Sequence, residues 1–349
     1  MTTEVFRGRG AVTNPANRFE AFHYVPDPDE ERPPDAPSTL YLRDATREII
    51  ASNDSPDVGF SKSINPYRGC EHGCAYCFAR PTHEYLGFSA GLDFETKILI
   101  KEDAPRLLRE TLAARSWVPQ PIGISGVTDP YQPIERKLKI TRGCLEVLAE
   151  FRNPVAVITK NHLVTRDAEL LGELARFEAA RAFLSITTLD ADLAGTMEPR
   201  ASAPPLRLDA VRALAAEGVP VGVMVAPVIP GLNDHEIPAI LRSAARAGAT
   251  SAGFVLLRLP LTVAPVFEAW LEAHFPDRKE KVLGRIREMR GGKLYDSRWR
   301  MRQSGEGVLA EQIGLLFEAA ARREGLNQRS FELSAASFRL PPRDQMSLF

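Results

Sequence analysis

Three of the four cysteines fall within eight residues, at Cys70, Cys74 and Cys77, in the stretch Asn65-Pro-Tyr-Arg-Gly-Cys-Glu-His-Gly-Cys-Ala-Tyr-Cys-Phe78. The spacing C-x3-C-x2-C puts three thiolates on one short loop, enough to hold three corners of an iron–sulfur cube. The fourth iron would have no protein ligand from this loop, leaving it open to a chelating amino and carboxylate group. A structural zinc site with His72 or His83 as a further ligand is the alternative, but the second cysteine pair usual in zinc knuckles is missing. A disulfide framework does not fit four cysteines in 349 residues with three of them clustered.

A loop of this kind needs a scaffold, and the chain supplies a regular one. From residue 60 short apolar runs alternate with helical periods. Strands are predicted over 61–67, 121–126, 154–160, 181–188, 220–229 and 251–259. Helices are predicted over 103–115, 142–151, 167–177, 206–217, 235–247 and 263–274, with Gly218 and Gly248 closing two of them. Strand and helix alternating about six times is the rhythm of parallel βα units. It predicts an α/β fold, a partial (β/α)6 barrel over 58–276. Residues 1–57 read as an irregular, loosely ordered N-terminal arm, with Arg7, Arg9 and Arg18 as candidate phosphate contacts. Residues 277–325 read as a basic helical extension, with Leu309, Ile313, Leu316 and Phe317 on one helical face, and 326–349 as a flexible tail.

In such barrels the chemistry sits at the C-terminal ends of the strands. Asp129 follows the second strand and is a candidate acceptor for an amino group. Lys160 follows the third, a cation suited to a carboxylate. Ser185 and Thr187, near the end of the fourth, are donors or acceptors for the same ligand. Each residue alone reads equally well as surface or as a satisfied polar group; together with the cysteine loop they converge on one rim.

The cysteine spacing with Tyr76 just before the third cysteine resembles the signature of the radical S-adenosylmethionine enzymes. Val157-Ile-Thr-Lys-Asn161, Phe183-Leu-Ser-Ile-Thr187, Glu198-Pro-Arg200 and Gly218-Val-Pro-Val-Gly-Val-Met-Val-Ala-Pro-Val228 resemble the spore photoproduct lyase branch of that family, and the likeness spans about residues 58–260. With its Arg-Gly-Arg-Gly-Ala and Asn-Pro-x-Asn-Arg-Phe-Glu arm, the chain looks closer to an uncharacterised sister group. The resemblance implies a 4Fe–4S cluster on Cys70, Cys74 and Cys77 and S-adenosylmethionine on its open iron, cleaved by one electron to a 5′-deoxyadenosyl radical. It implies Lys160 and Ser185 on the cofactor's carboxylate; Tyr76, Asp129 and Thr187 are further candidate cofactor contacts, and flavodoxin or ferredoxin is the expected electron donor. The lyase has a hydrogen-donating cysteine near the end of its second strand. Here that region reads Ile124-Ser-Gly-Val-Thr-Asp129, without one. Tyr131 and the spare thiol Cys144 are the candidate hydrogen donors, and Tyr85 is a further one.

Charge and the C-terminus bear on the substrate. The net charge is −1, but residues 278–302 carry 10 basic and 3 acidic side chains, with Tyr295 and Trp299 among them. Aromatics among cations suit single strands or flipped bases. The last five residues, Gln345-Met-Ser-Leu-Phe349, resemble the peptide by which bacterial repair proteins dock on the sliding clamp. Damaged or modified DNA is therefore the expected substrate. RNA, protein or a small molecule is the first alternative, and a zinc-stabilised nucleic-acid-binding module without catalysis the second. No apolar leader or membrane span is expected, and clustered free thiols fit the cytoplasm.

Overall fold

The computed structural model describes residues 5–20 and 37–341. Six parallel strands form one sheet in chain order: β1 (Lys62–Ile64), β2 (Ile122–Ile124), β3 (Val155–Thr159), β4 (Ala180–Ser185), β5 (Val221–Val228) and β6 (Ser251–Leu256). The registers Ser63↔Gly123, Gly123↔Ala156, Val157↔Ala182, Leu184↔Val223 and Gly222↔Ser251 are parallel throughout. A helix precedes each strand from β2 onward: α1 (Ala104–Ala113), α2 (Ile140–Phe151), α3 (Ala168–Ala175), α4 (Pro204–Ala216) and α5 (Ile237–Arg246). The helix α6 (Val263–His274) follows β6. The expected α/β architecture is present, with strands shorter than their apolar runs.

The strands are apolar on both faces because helices cover one side and the barrel interior fills the other. Val155, Val157, Val221 and Val223 are fully buried together with Leu108, Leu171 and Leu241 of the surrounding helices. A second apolar cluster sits at the C-terminal ends of the strands. There Tyr76 and Ala75 of the cysteine loop pack with Met197, Ile229, Leu257 and Trp270. The cysteine loop is thus seated on a core of its own. Among the described residues no helix is long and apolar enough to cross a membrane.

The N-terminal segment departs from expectation. Residues 37–57 contribute two strands. Leu40–Arg43 joins Lys97–Ile100 and Tyr67–Arg68 in a small sheet, and Ile50–Ser52 pairs antiparallel with β1. Residues 5–20 have no regular structure but are not loose: Ala11 is fully buried and Val12 nearly so. Their backbone donors are satisfied by one carboxylate, as Gly10 N and Ala11 N donate to Glu95 at 3.0 and 2.8 Å. Arg9 donates to the Glu95 carbonyl at 3.0 Å and Arg18 pairs with Glu84 at 2.7 Å, so neither is free for phosphate.

Gly10 touches the cysteine loop itself. A Cβ built there would lie 1.7 Å from the carbonyl oxygen of Gly73, a backbone atom that cannot swing aside. Gly10→Ala is therefore expected to cost at least about 2 kcal/mol, by overpacking and loss of the arm's seat. Denaturant unfolding of the two proteins side by side measures it.

The C-terminal part holds α7 (Pro276–Glu288) and α8 (Val308–Arg323). On α8, Ile313 and Phe317 face inward and Phe317 meets Phe254 of β6 at 4.8 Å, whereas Leu316 points to solvent. Residues 326–341 are hydrogen-bonded to the barrel. Asn327 N donates to Thr250 O, Ser334 N to Glu178 O and Arg339 N to Phe151 O. Those acceptors lie just before β6, β4 and β3, so this segment crosses the N-terminal ends of the strands, opposite the cysteine loop. The clamp-like peptide Gln345–Phe349 lies outside the described residues.

Candidate active site at the cysteine loop

The loop's shape is set by Gly69 and Gly73, at φ +77° and +66°, the left-handed region that disfavours side chains. It is then nailed from four directions. Cys70 N donates to Phe94 O at 2.9 Å, Glu71 N to Gln132 Oε1 at 3.0 Å and Ala75 N to Met197 O at 3.0 Å. Arg200 N closes the fourth side on His72 O. Inside, the fully buried Arg80 spans the loop. Its Nε and Nη2 donate to Cys74 O, its Nη1 to the carbonyls of Ala90 and Gly91, and it pairs with Glu95.

Cys70 and Cys74 are buried and Cys77 is partly exposed; all three are free thiols. Burial pushes every one of them up, Cys74 to about 12, and for Cys70 the other two sulfurs add to the rise. Three sulfurs with raised pKa values within electrostatic reach of one another become thiolates together only when a cation holds them. That donor chemistry fits an iron–sulfur cube.

It does not fit a zinc site using the nearby histidines. Both ring nitrogens of His72 are taken, one by Asn161 Nδ2 at 3.0 Å and the other by Asp129 at 3.3 Å. His83 is fully buried against Phe88 and Phe94, and neither ring nitrogen has a well-formed hydrogen bond.

Burial lowers the His83 pKa to about 4. The unfolded chain takes up this proton near pH 6.5 and the folded chain does not until about pH 4. Stability is thus complete above pH 6.5 and falls as the pH drops toward 4, by about 3 kcal/mol from this group. His83→Leu is expected to flatten that part of the stability–pH curve, which denaturant titrations of the iron-free protein across this range would measure.

The strand ends face the loop. Thr159 and Leu184 are register partners, which sets Lys160 beside Ser185 on the neighbouring strand. The Lys160 ammonium lies 5.7 Å from the Tyr76 ring centroid and, among the described residues, has no ion-pair partner. Its charge draws the Cys74 and Cys77 thiols down against their burial. Ser185 closes β4 and is nearly buried. Tyr76 and Thr187 share one buried carboxylate: the Tyr76 hydroxyl donates to Glu198 Oε1, as does Thr187 Oγ1 at 2.7 Å. Arg207 pairs with the other Glu198 oxygen and donates to Ser185 O.

Asp129 is engaged within the protein. Its oxygens accept from Tyr131 N, Thr159 Oγ1 and Lys160 N at 2.9, 2.6 and 2.8 Å, and His72 lies beside them. Burial alone would raise its pKa, but His72 and these hydrogen bonds hold it at about 2. Its carboxylate fixes the turn that carries Lys160, leaving little capacity for a ligand's amino group.

The two candidate hydrogen donors are not at the mouth. Tyr131 and Cys144 are both fully buried in the main core, and their acidities are suppressed by burial first. The chain after β2 turns Tyr131 inward beneath Arg166, and helical spacing places Cys144 on the inner face of α2. Tyr85 is exposed and stacks on Phe19 of the arm at 5.1 Å.

Comparison with known proteins fits this geometry. A family model described as the Radical SAM superfamily matches residues 64–244. An uncharacterised protein of Mycobacterium tuberculosis is 35% identical over 232 residues, 66% of this chain and 67% of that one. One of Methanocaldococcus jannaschii is 30% identical over 184 residues, 53% and 66% of the two chains. Among solved structures, a point variant of spore photoproduct lyase aligns over 82% of this chain and 80% of its own, with TM-score 0.59 and 18% identity. The lyase complexed with dinucleoside spore photoproduct aligns with TM-score 0.54 and 16% identity, over 82% of this chain and 80% of its own. At that identity the likeness is one of fold.

Proposed function

The chain belongs to the Radical SAM superfamily, and we propose that it is a radical enzyme whose Cys70, Cys74 and Cys77 hold a 4Fe–4S cluster and whose substrate is damaged or modified DNA. Membership implies both the cluster and S-adenosylmethionine. When bound, the cluster supplies the electron that cleaves S-adenosylmethionine to a 5′-deoxyadenosyl radical. The rest is work for this chain's side chains. Lys160 takes the cofactor's carboxylate, with the Ser185 hydroxyl beside it. Glu198 holds Tyr76 and Thr187 as the opposite wall. Asp129 acts through the backbone, fixing the Lys160 turn. The observation that carries the reading is the Lys160 ammonium, without an ion-pair partner among the described residues, 5.7 Å from the Tyr76 ring centroid and within electrostatic reach of the Cys74 and Cys77 thiols.

Lys160→Ala is accordingly expected to weaken S-adenosylmethionine binding about tenfold or more, the loss of one charge-assisted hydrogen bond. Iron content stays at the wild-type level. Calorimetric titration of the reconstituted protein reads the first and iron analysis the second.

DNA is supported by the fold shared with spore photoproduct lyase, by the basic extension and by the clamp-like C-terminal peptide. The chain leaves its described part at Pro341, on the face opposite the mouth, which keeps the mouth free if the tail is tethered to a clamp. With Tyr131 and Cys144 both sealed, the radical is quenched from a group at the mouth or by return of hydrogen from 5′-deoxyadenosine. Flavodoxin or ferredoxin serves as electron source. Anaerobic turnover with a panel of lesion-bearing oligonucleotides tests the substrate. An altered base or sugar in a DNA strand supports it. Turnover confined to RNA, a protein or a small molecule overturns it.

A further inference from the structure

Phe78 directly follows the third cysteine of the loop, and its ring is 47% exposed. One residue type explains how it is held: the guanidinium of Arg258, just beyond β6, lies over the ring at 4.8 Å. Arg258 differs from three other inward arginines of the barrel and resembles Arg290, which also lacks an ion pair among the described residues. Arg80, Arg166 and Arg207 each meet a carboxylate. Arg258 forms no ion pair among the described residues, and its Nε is buried without a hydrogen-bond partner. Its neighbours are Tyr295, Asp57 and the cations Arg302 and Arg290. Burial and the Arg302 charge both work against its protonated form, with Tyr295 and Asp57 opposing them. Tyr295 gives it a hydrogen bond but no compensating charge, and a half-buried cation without a carboxylate beside an exposed ring is costly unless an anionic ligand completes it.

The basic extension delivers these groups to the mouth by specific bonds. Arg290 donates to Leu257 O at 3.1 Å and to Arg302 O at 3.0 Å, tying residues 290–302 to the end of β6. Arg300 N donates to Asp57 Oδ1 at 2.7 Å and Arg302 donates to Asp57 and Ser55, across the side where no ladder joins β6 to Ile50–Ser52. Trp299, 47% exposed, stacks on Arg302 at 3.9 Å on the outer side of the same segment.

We propose that Phe78, Arg258 and Tyr295 form a nucleotide subsite at the barrel mouth: an unstacked base lies on the open side of the Phe78 ring while its phosphate meets the Arg258 guanidinium. Aromatic rings bind bases of any sequence through their faces, and a guanidinium matches phosphate with two parallel donors. The subsite sits one residue from Cys77, so a strand held there runs past the reactive centre. It rests on the nucleic-acid reading above and narrows that reading to single-stranded or locally unpaired strands.

Fluorescence anisotropy of a labelled oligothymidylate, titrated with the full chain at fixed salt, tests it. Phe78→Leu and Arg258→Ala are each expected to weaken binding about tenfold, whereas Phe78→Trp keeps wild-type affinity. Arg323→Ala, at the exposed end of α8, is expected to change nothing. Thermal unfolding and iron content of each variant, matched to wild type, confirm that the loop is intact; Arg258→Lys serves as a second probe should Arg258→Ala unfold. A ribo-oligonucleotide that binds with the same dependence on Phe78 supports the subsite and moves the substrate from DNA to RNA. Wild-type affinity in Phe78→Leu, or equal losses in Arg258→Ala and Arg323→Ala, overturns the subsite and leaves the nucleic-acid reading standing. Wild-type protein that binds no oligonucleotide of either sugar overturns both.

Discussion

Arg80→Ala is expected to lose about 3–5 kcal/mol of stability, the usual result of stripping one partner from a buried charged pair. The guanidinium is fully buried and satisfies three backbone carbonyls besides Glu95. Its removal leaves Cys74 O, Ala90 O, Gly91 O and a buried carboxylate without that donor. Among the described residues, Glu95 then retains only the arm, through Gly10 N and Ala11 N. Arg80→Lys is expected to recover little, because an ammonium cannot serve carbonyls on opposite sides of the loop at once. Urea unfolding reports the stability. Iron retained after anaerobic gel filtration reports the loop, and both are expected to fall together, since the same side chain anchors the Cys74 backbone.

The second large effect separates folding from cofactor binding. Arg207→Ala leaves Glu198 buried without its ion-pair partner and is expected to cost about 3–5 kcal/mol. Replacing both partners, Glu198→Leu with Arg207→Met, is expected to cost much less than the sum of the two single changes, because no charge is left stranded. Stability is thereby largely recovered. Binding of S-adenosylmethionine is not, because the Tyr76 and Thr187 hydroxyls have lost the carboxylate that orients them. A double-mutant cycle read twice, once in urea and once by calorimetric cofactor titration, distinguishes the two. Parallel recovery of both readouts would contradict the positioning role given to Glu198.

The barrel was legible because its signal is local. Val-rich runs and Leu spacing repeat along the chain, and the two polar residues that interrupt strand ends, Lys160 and Ser185, prove to be neighbours through the β3–β4 register. What was not legible is held by contacts between distant residues. Gly10 reads as a turn glycine in a Pro-rich, acidic arm; only its partner Glu95 shows it to be part of the loop's seat. The same holds for residues 326–341, polar in sequence yet bonded to Thr250, Glu178 and Phe151. Tyr131 is instructive in the opposite direction. It follows a strand end, where chemistry is expected, but the turn fixed by Asp129 carries its ring into the core. Glu198 stands in the Glu198-Pro-Arg200 segment that resembles the family, but nothing in the sequence joins it to Arg207; burial and their ion pair do. Arg258 looks like any strand-end cation until its lack of a carboxylate partner is set beside Phe78.

The most direct test of the central claim is anaerobic reconstitution of the wild-type chain and of Cys70→Ala, Cys74→Ala and Cys77→Ala, followed by reduction in the presence of S-adenosylmethionine. The wild type is expected to carry about four iron and four sulfide per chain and to release 5′-deoxyadenosine, and each variant to release none. Stoichiometric zinc in the reconstituted wild type without bound iron, or 5′-deoxyadenosine released equally by the three variants, would contradict it.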